Sequence, residues 1–373
     1  VATRFLVRAP AGTTAVRLRV SRPDHGTEEI LLGPGPREIE VRAASVRTGR
    51  QPLFVLEYQG VGEDGCAWSE VSRRDAEQVL VLPVSLPVAT LPLPGWFRGL
   101  TGPHDSRRPG SGGGFRDVHL FQNGDSPRRV DWRTTARRSP TLQDLYVRRT
   151  TSLGEAVVAV VVDSRDDVGP DPTTWNGARP VRADDPTSLD HARQAAATLA
   201  QRYLTAGDRV GVEDLGVRSR AVRTGTGRRQ LDRVLHQLAL VRPEGAPSTR
   251  VRPPRITAGA LVYVVSTFLD DEAAVLARNW RRAGHPVVAV DVLPGLRIRG
   301  LDVRHRLALR LVLLERQDRL ADLAAAGIEV VRWVDGPGAT SRLHQLARAG
   351  SRRPGGRRTG AGVPGVGRGQ VRR

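Results

Sequence analysis

Few residues of this chain have the types and spacing that chemistry requires. All 58 of its Lys+Arg residues are Arg, so a GxxxxGK phosphate loop, a kinase-type lysine and a Schiff-base lysine are excluded. Cys66 is the one cysteine. It lies in a Gly/Asp-rich turn without a nearby His, and it permits neither an internal disulfide nor a cysteine metal cage. The eight His are scattered, with no HExxH or paired ligand spacing, and no GxSxG elbow occurs. Gly225-Thr226-Gly227 could offer backbone amides to an anion at a helix start. Gln230 stands where a dinucleotide fingerprint needs its third glycine, so a tight turn explains the motif better. The Asp pairs at 184–185 and 270–271 read as a loop and a helix start, where acids complement the dipole. No catalytic constellation assembles, and the expectation is a protein that is not an enzyme, with no cofactor.

The formal charge of +19 would ordinarily suggest nucleic acid. With aromatics at 4 % and Arg spread through nearly every segment, a basic face interleaved with aromatics is missing. Abundant Gly, Pro, Ala and Val beside absent Lys and Met mark a very G+C-rich coding sequence of actinobacterial type, which accounts for part of the charge. Non-specific binding to nucleic acid or an anionic surface stays open, but no dedicated nucleic-acid role is indicated. Apolar runs such as Val157–Val162 and Ala260–Val265 fall far short of the roughly 20 residues that span a bilayer. The expected place is the cytoplasm, or the cytoplasmic face of a membrane if an anchor precedes Val1.

Four segments position these residues. Residues 1–86 alternate apolar and charged side chains, as in Ala15–Val20 and Glu38–Arg42, between turn clusters. That pattern predicts an all-β sandwich. Residues 87–153 hold a Pro/Gly-rich connector, with a flexible end at Pro109–Gly114, and then a distinctive string. From 154 to 346 strands and helices alternate, which predicts a mainly parallel α/β domain with ligands at the carboxyl ends of its strands. Its long helix, Arg304–Ala326, carries the stripe Leu307, Leu311 and Leu314. Residues 347–373 are Arg/Gly-rich and predict a disordered tail.

The string runs Phe121-Gln122-Asn123-Gly124-Asp125-Ser126-Pro127-Arg128-Arg129-Val130-Asp131-Trp132-Arg133-Thr134-Thr135-Ala136-Arg137. It resembles the signature of the bacterial family called domain of unknown function 58. Gly124, Asp125, Arg129, Asp131, Trp132, Ala136 and Arg137 match that pattern in order and spacing. His119-x-Phe121 stands where the family usually has Arg-x-Tyr, and Arg149 where it has an acidic residue, so some ionic partners have changed. If the string is extended, Arg129, Asp131 and Arg133 share one face, and Trp132 points to the other, able to bury itself against the α/β domain. The Arg forks could serve as an interdomain clasp, the favoured reading, or as a docking surface for a partner.

The resemblance implies a multidomain chain, with a β-rich domain before a Rossmann-like α/β domain similar to von Willebrand factor A. It also implies a non-enzymatic scaffold or adaptor that works with a MoxR-type AAA+ ATPase in a chaperone-like or envelope-assembly role. Domains of that kind often bind Mg²⁺ through Asp-x-Ser-x-Ser after the first strand. Here that loop reads Asp163-Ser164-Arg165-Asp166-Asp167, and only Asp163 is in place. The later Ser-Asp is Ser266-Thr267. A degenerate metal site is expected, and a Mg²⁺-dependent adhesion-type module is the alternative.

Overall fold

The computed structural model describes residues 2–22, 26–52, 54–63, 65–75, 78–99, 101–216, 221–243 and 253–352. It is a mixed α/β architecture in three successive parts. Alternation over the first 81 residues produces eight strands: β1 (Ala2–Val7), β2 (Thr13–Ser21), β3 (Thr27–Leu32), β4 (Arg37–Arg42), β5 (Gly49–Pro52), β6 (Val55–Gly62), β7 (Ser72–Arg74) and β8 (Gln78–Val81). They form a four-stranded sheet in the order β3-β2-β6-β7 and the pairs β1-β4 and β5-β8, all antiparallel. The inward residues of β2, Leu18 and Val20, meet Phe54, Phe5, Ile39 and Val41 in one apolar cluster.

A connector follows, and it acts as a strap across the third part. Leu91 is buried in the main α/β core. Leu86 N donates to Thr198 Oγ1 (3.0 Å), Arg202 Nε donates to Ala89 O (3.0 Å), and Tyr203 Oη donates to Pro92 O.

The second part is a long antiparallel hairpin of β9 (His104–Leu120) and β10 (Tyr146–Gly154), with the helix α1 (Trp132–Arg138) in its connection. Pro109–Gly114 thus lies within a strand. Arg149 pairs with Asp117 while the next residue, Thr150, pairs with Gly110, so the intervening residues of β9 bulge out. The glycines permit close approach: a Cβ on Gly110 would lie 2.4 Å from Ser152 Cβ, and one on Gly114 would lie 2.4 Å from Thr151 Oγ1.

The third part is a six-stranded sheet in the order β13-β12-β11-β14-β15-β16. Its strands are β11 (Val157–Val162), β12 (Arg209–Asp214), β13 (Val222–Gly225), β14 (Leu261–Ser266), β15 (Val287–Asp291) and β16 (Glu329–Arg332). All neighbours are parallel except β12 and β13. The central strands are buried along their whole length, as continuous Val runs require when both faces are covered. One face packs α2 (Ser188–Thr205), α3 (Gly227–Leu240) and α6 (Pro337–Arg352); the other packs α4 (Glu272–Arg282) and the end of α5 (Val303–Ala325). Leu307, Leu311 and Leu314 of α5 face outward, because the apolar contact of that helix with the sheet is made further along, at Leu323. One expectation changes. α6 continues to Arg352, past the expected boundary at 346, and Ala339 and Leu343 fasten its first half to the core. Residues 353–373 of the expected tail lie outside the described residues. Among the described residues no helix is long and apolar enough to cross a membrane.

Candidate functional site

Two places concentrate the residues singled out by sequence: the hairpin connection and the carboxyl ends of the central strands.

The signature string is compact, not extended. Gly124 takes φ +100 in a turn closed by Asp125 N donating to Gln122 O (3.0 Å). Pro127–Arg129 form one 3-10 turn, and Asp131 caps α1 by accepting from Thr134 N (2.9 Å). That amide, more than any charge, holds the Asp131 carboxyl below its ordinary range. Because the chain turns into a helix here, Trp132 does not bury itself against the α/β domain; it is 63 % exposed. Arg133, Ala136 and Arg137 are exposed as well, while Thr135 and Ser139, one turn apart, point inward. The Thr135 hydroxyl accepts from Tyr146 N (2.9 Å), and that of Ser139 accepts from Asp144 N (3.0 Å). Arg129 Nη1 donates to Gly110 O (3.2 Å), tying the 3-10 turn to β9.

The departures from the family pattern meet at one carboxylate. Asp125 Oδ2 lies 3.6 Å from both His119 Nε2 and Arg149 Nη2. The Gln122 amide first, then Arg149 and His119, lower its pKa. Asp125 is therefore the shared partner of the two altered positions. Among the described residues these hydrogen bonds and ion pairs stay within the hairpin unit, so the string is not an interdomain clasp.

An Arg clasp does join the β-rich part to the α/β part, elsewhere. Arg47 Nε lies 2.7 Å from Asp190 Oδ2, and Thr48 N donates to Asp190 Oδ1 (2.7 Å). Arg193 Nη1 donates to Thr48 O (2.9 Å), and its other nitrogens reach Leu238 O and Val241 O. Gly49 must be glycine here: its φ is +84, and a Cβ would lie 2.9 Å from Arg193 Nη2. Burial alone would raise the pKa of Asp190; Arg47 and the Thr187 and Thr48 donors outweigh it. The Thr187-x-x-Asp190 capping box was a readable signal for the start of α2. Nothing in the sequence tied it to Arg47.

At the sheet the topology reverses between β11 and β14, the crevice where open α/β sheets place ligands. Here a guanidinium fills it. Arg165 Nε and Nη2 donate to Asp163 Oδ1 (2.8 Å) and Oδ2 (2.9 Å), and Nη2 also donates to Asp270 Oδ1 (2.8 Å). Ser266 Oγ adds a third side-chain donor to Asp163 (2.8 Å). Burial pulls the Arg165 pKa down, but the hydrogen bonds and charges of Asp163 and Asp270 more than restore it, so the cation is permanent. Beside it, burial and then the Asp163 charge push Asp166 up to about 6, although Thr267 Oγ1 donates to its carboxylate (2.9 Å). Ser164 Oγ is spent on Asp214, and Arg316 binds both Thr267 O and Asp291. Both oxygens of Asp163 already carry donors, and the nearest cation is a fixed one. These residues do not fit Mg²⁺, which needs free hard oxygens around a small octahedron. The sequence pointed to Arg165 as repulsive; the fork joining two carboxylates from separate loops became visible only in the fold.

Compared with known proteins, residues 117–295 match the family described as Protein of unknown function DUF58. No curated protein and no solved structure matches the chain.

Proposed function

The chain is a DUF58 family protein through residues 117–295, and on that premise we propose that it is a non-enzymatic scaffold whose hairpin unit docks a partner. The observation that carries this reading is Trp132, 63 % exposed on a helix whose cap and inner hydroxyls are fully engaged. A short helix that opens on Trp132 and also exposes Arg133 and Arg137 offers the residue types that dominate binding energy at protein interfaces. Phe115 and Leu142, 56 % and 54 % exposed, extend apolar surface on the same unit.

In this reading the first 86 residues are a β-sandwich and the sheet of β11–β16 is a von Willebrand factor A-like domain. The 3-2-1-4-5-6 strand order, with an antiparallel third strand, supports the second assignment. The family resemblance supplies the partner, a MoxR-type AAA+ ATPase, and a chaperone-like or envelope-assembly setting in the cytoplasm or on the cytoplasmic face of a membrane. A Mg²⁺-dependent adhesion role is disfavoured by the Arg165 fork.

Co-purification of the chain with a MoxR-type AAA+ ATPase, with and without ATP, tests the proposal. The complex is expected to form and to be lost in Trp132→Ala/Arg137→Ala at unchanged melting temperature. No complex in either nucleotide state, or one indifferent to both substitutions, refutes it.

A further inference from the structure

The longest helix, α5, buries only Leu309 and Leu323 of its 23 residues. At 100° per residue these two, with the largely covered Arg316, share one side. Val303, Leu307, Leu311 and Leu314 fall on the opposite side and are 62, 58, 64 and 49 % exposed. Their spacing of four, four and three keeps them on one face of the helix. A contiguous apolar strip of this kind on a soluble surface marks an interaction site. Beside it opens a groove of about 340 Å³ lined by Ile298, Leu309, Leu313 and Leu314.

The charges on the strip select the occupant. Arg304 sits near its N-terminal end and Asp318 beyond its C-terminal end, both exposed and on the strip's own side of the helix. Neither makes an ion pair or a side-chain hydrogen bond among the described residues. On the flanks Arg306 and Arg310 lie in the first half, while Glu315 and Asp322 in the second already pair within the chain with Arg319 and Arg278, so Arg304 and Asp318 carry the choice. A two-fold axis through Leu311, with the helices antiparallel, places Leu311 against its own copy and Leu307 against the turn holding Leu314. The same operation sets Arg304 of each chain opposite Asp318 of the other. A parallel pairing would set Arg against Arg. The strip is therefore self-complementary in apolar contact and in charge, as an isologous interface must be.

We propose that α5 is the face through which two copies of this chain pair antiparallel. The strip shares no residue with the hairpin surface, so substitutions in one leave the side chains of the other in place.

Sedimentation equilibrium of the full chain tests it. The wild-type chain is expected at twice its monomer mass, and Leu311→Glu at the monomer mass with an unchanged circular dichroism spectrum and melting temperature. Arg304→Glu and Asp318→Arg should each weaken the dimer about tenfold or more, since each sets like charges opposite one another. Mixing the two single variants should restore it, because the mixed pair recovers both contacts. A wild-type chain that stays monomeric, a dimer indifferent to Leu311→Glu, or single variants that do not rescue each other would overturn the proposal. A monomer would assign the strip to a different protein or to a lipid surface.

Discussion

Replacing Arg165 by Met removes a cation held between Asp163 and Asp270 while keeping much of its apolar volume. The side chains of Arg165 and Asp163 are 3 % and 2 % exposed, whereas that of Asp270 is 40 % exposed. Asp270 can rehydrate once its partner is gone, so its share of the cost is small. Asp163 cannot, and it lies beside Asp166, whose proton affinity is already raised. Stripping the counter-charge from a buried pair costs about 3–5 kcal/mol. For a unit the size of the α/β part this lowers the melting temperature by about 10 °C. The assay is thermal and urea unfolding of Arg165→Met, Asp163→Asn and the double variant. The double variant should recover at least half of the loss, since it removes both charges together. Millimolar Mg²⁺ should leave the wild-type melting temperature where it is and raise that of Arg165→Ser, in which Asp163, Asp166 and Asp270 face no cation. A loss below about 1 kcal/mol for Arg165→Met, no recovery in the double variant, or a wild-type response to Mg²⁺ would refute the reasoning.

Two further outcomes follow from the same geometry. Asp166 has its folded pKa raised to about 6 from an ordinary 3.8, so the folded state holds the proton longer and its stability falls as pH rises through that window. Asp166→Asn should therefore stabilise the protein by on the order of 1–3 kcal/mol at pH 8 and lose that advantage below pH 4; a pH-independent difference would show that the carboxyl is not held neutral. Gly110→Ala drives a methyl to within 2.4 Å of Ser152 Cβ, so the hairpin must open at a cost of about 1–3 kcal/mol. Hydrogen exchange of the Tyr146–Gly154 amides should accelerate, and unchanged protection would mean that the strands lie further apart.

The α/β half was legible because its signals are periodic and local. Val157–Val162 and Ala260–Val265 are apolar runs of strand length, and both are strands buried on either face. The hairpin unit was less legible because its glycines were read by their usual meaning. Gly110 and Gly114 signal flexibility in a linker, but here they let two strands approach where any side chain would collide. The signature was legible as a set of residues but not as a conformation. Asp131 three residues before Thr134 is a helix-cap spacing, hidden inside a run that also alternates charged and apolar like a strand. The clasp through Arg47 and Arg193 joins residues about 145 positions apart, and single-sequence periodicity carries no information at that range. Arg165 lay between, since its type ruled out a metal while its bidentate partners depended on which loops the sheet brings together.

The strap formed by residues 86–92 separates inheritance from autonomy. The segment recognisable as a family begins at 117 and ends at 295, yet an excised piece with those ends could not fold alone. It would lack Leu91, the Pro92 carbonyl that receives Tyr203, and the first half of β9. It would also lack β16 and the buried Trp333 and Leu343. A fragment from about Pro83 to Arg352 keeps those apolar contacts but strips Arg47 and Thr48 from the buried Asp190, so truncations meant to isolate the family segment should keep the strap and α6 and neutralise Asp190 as well.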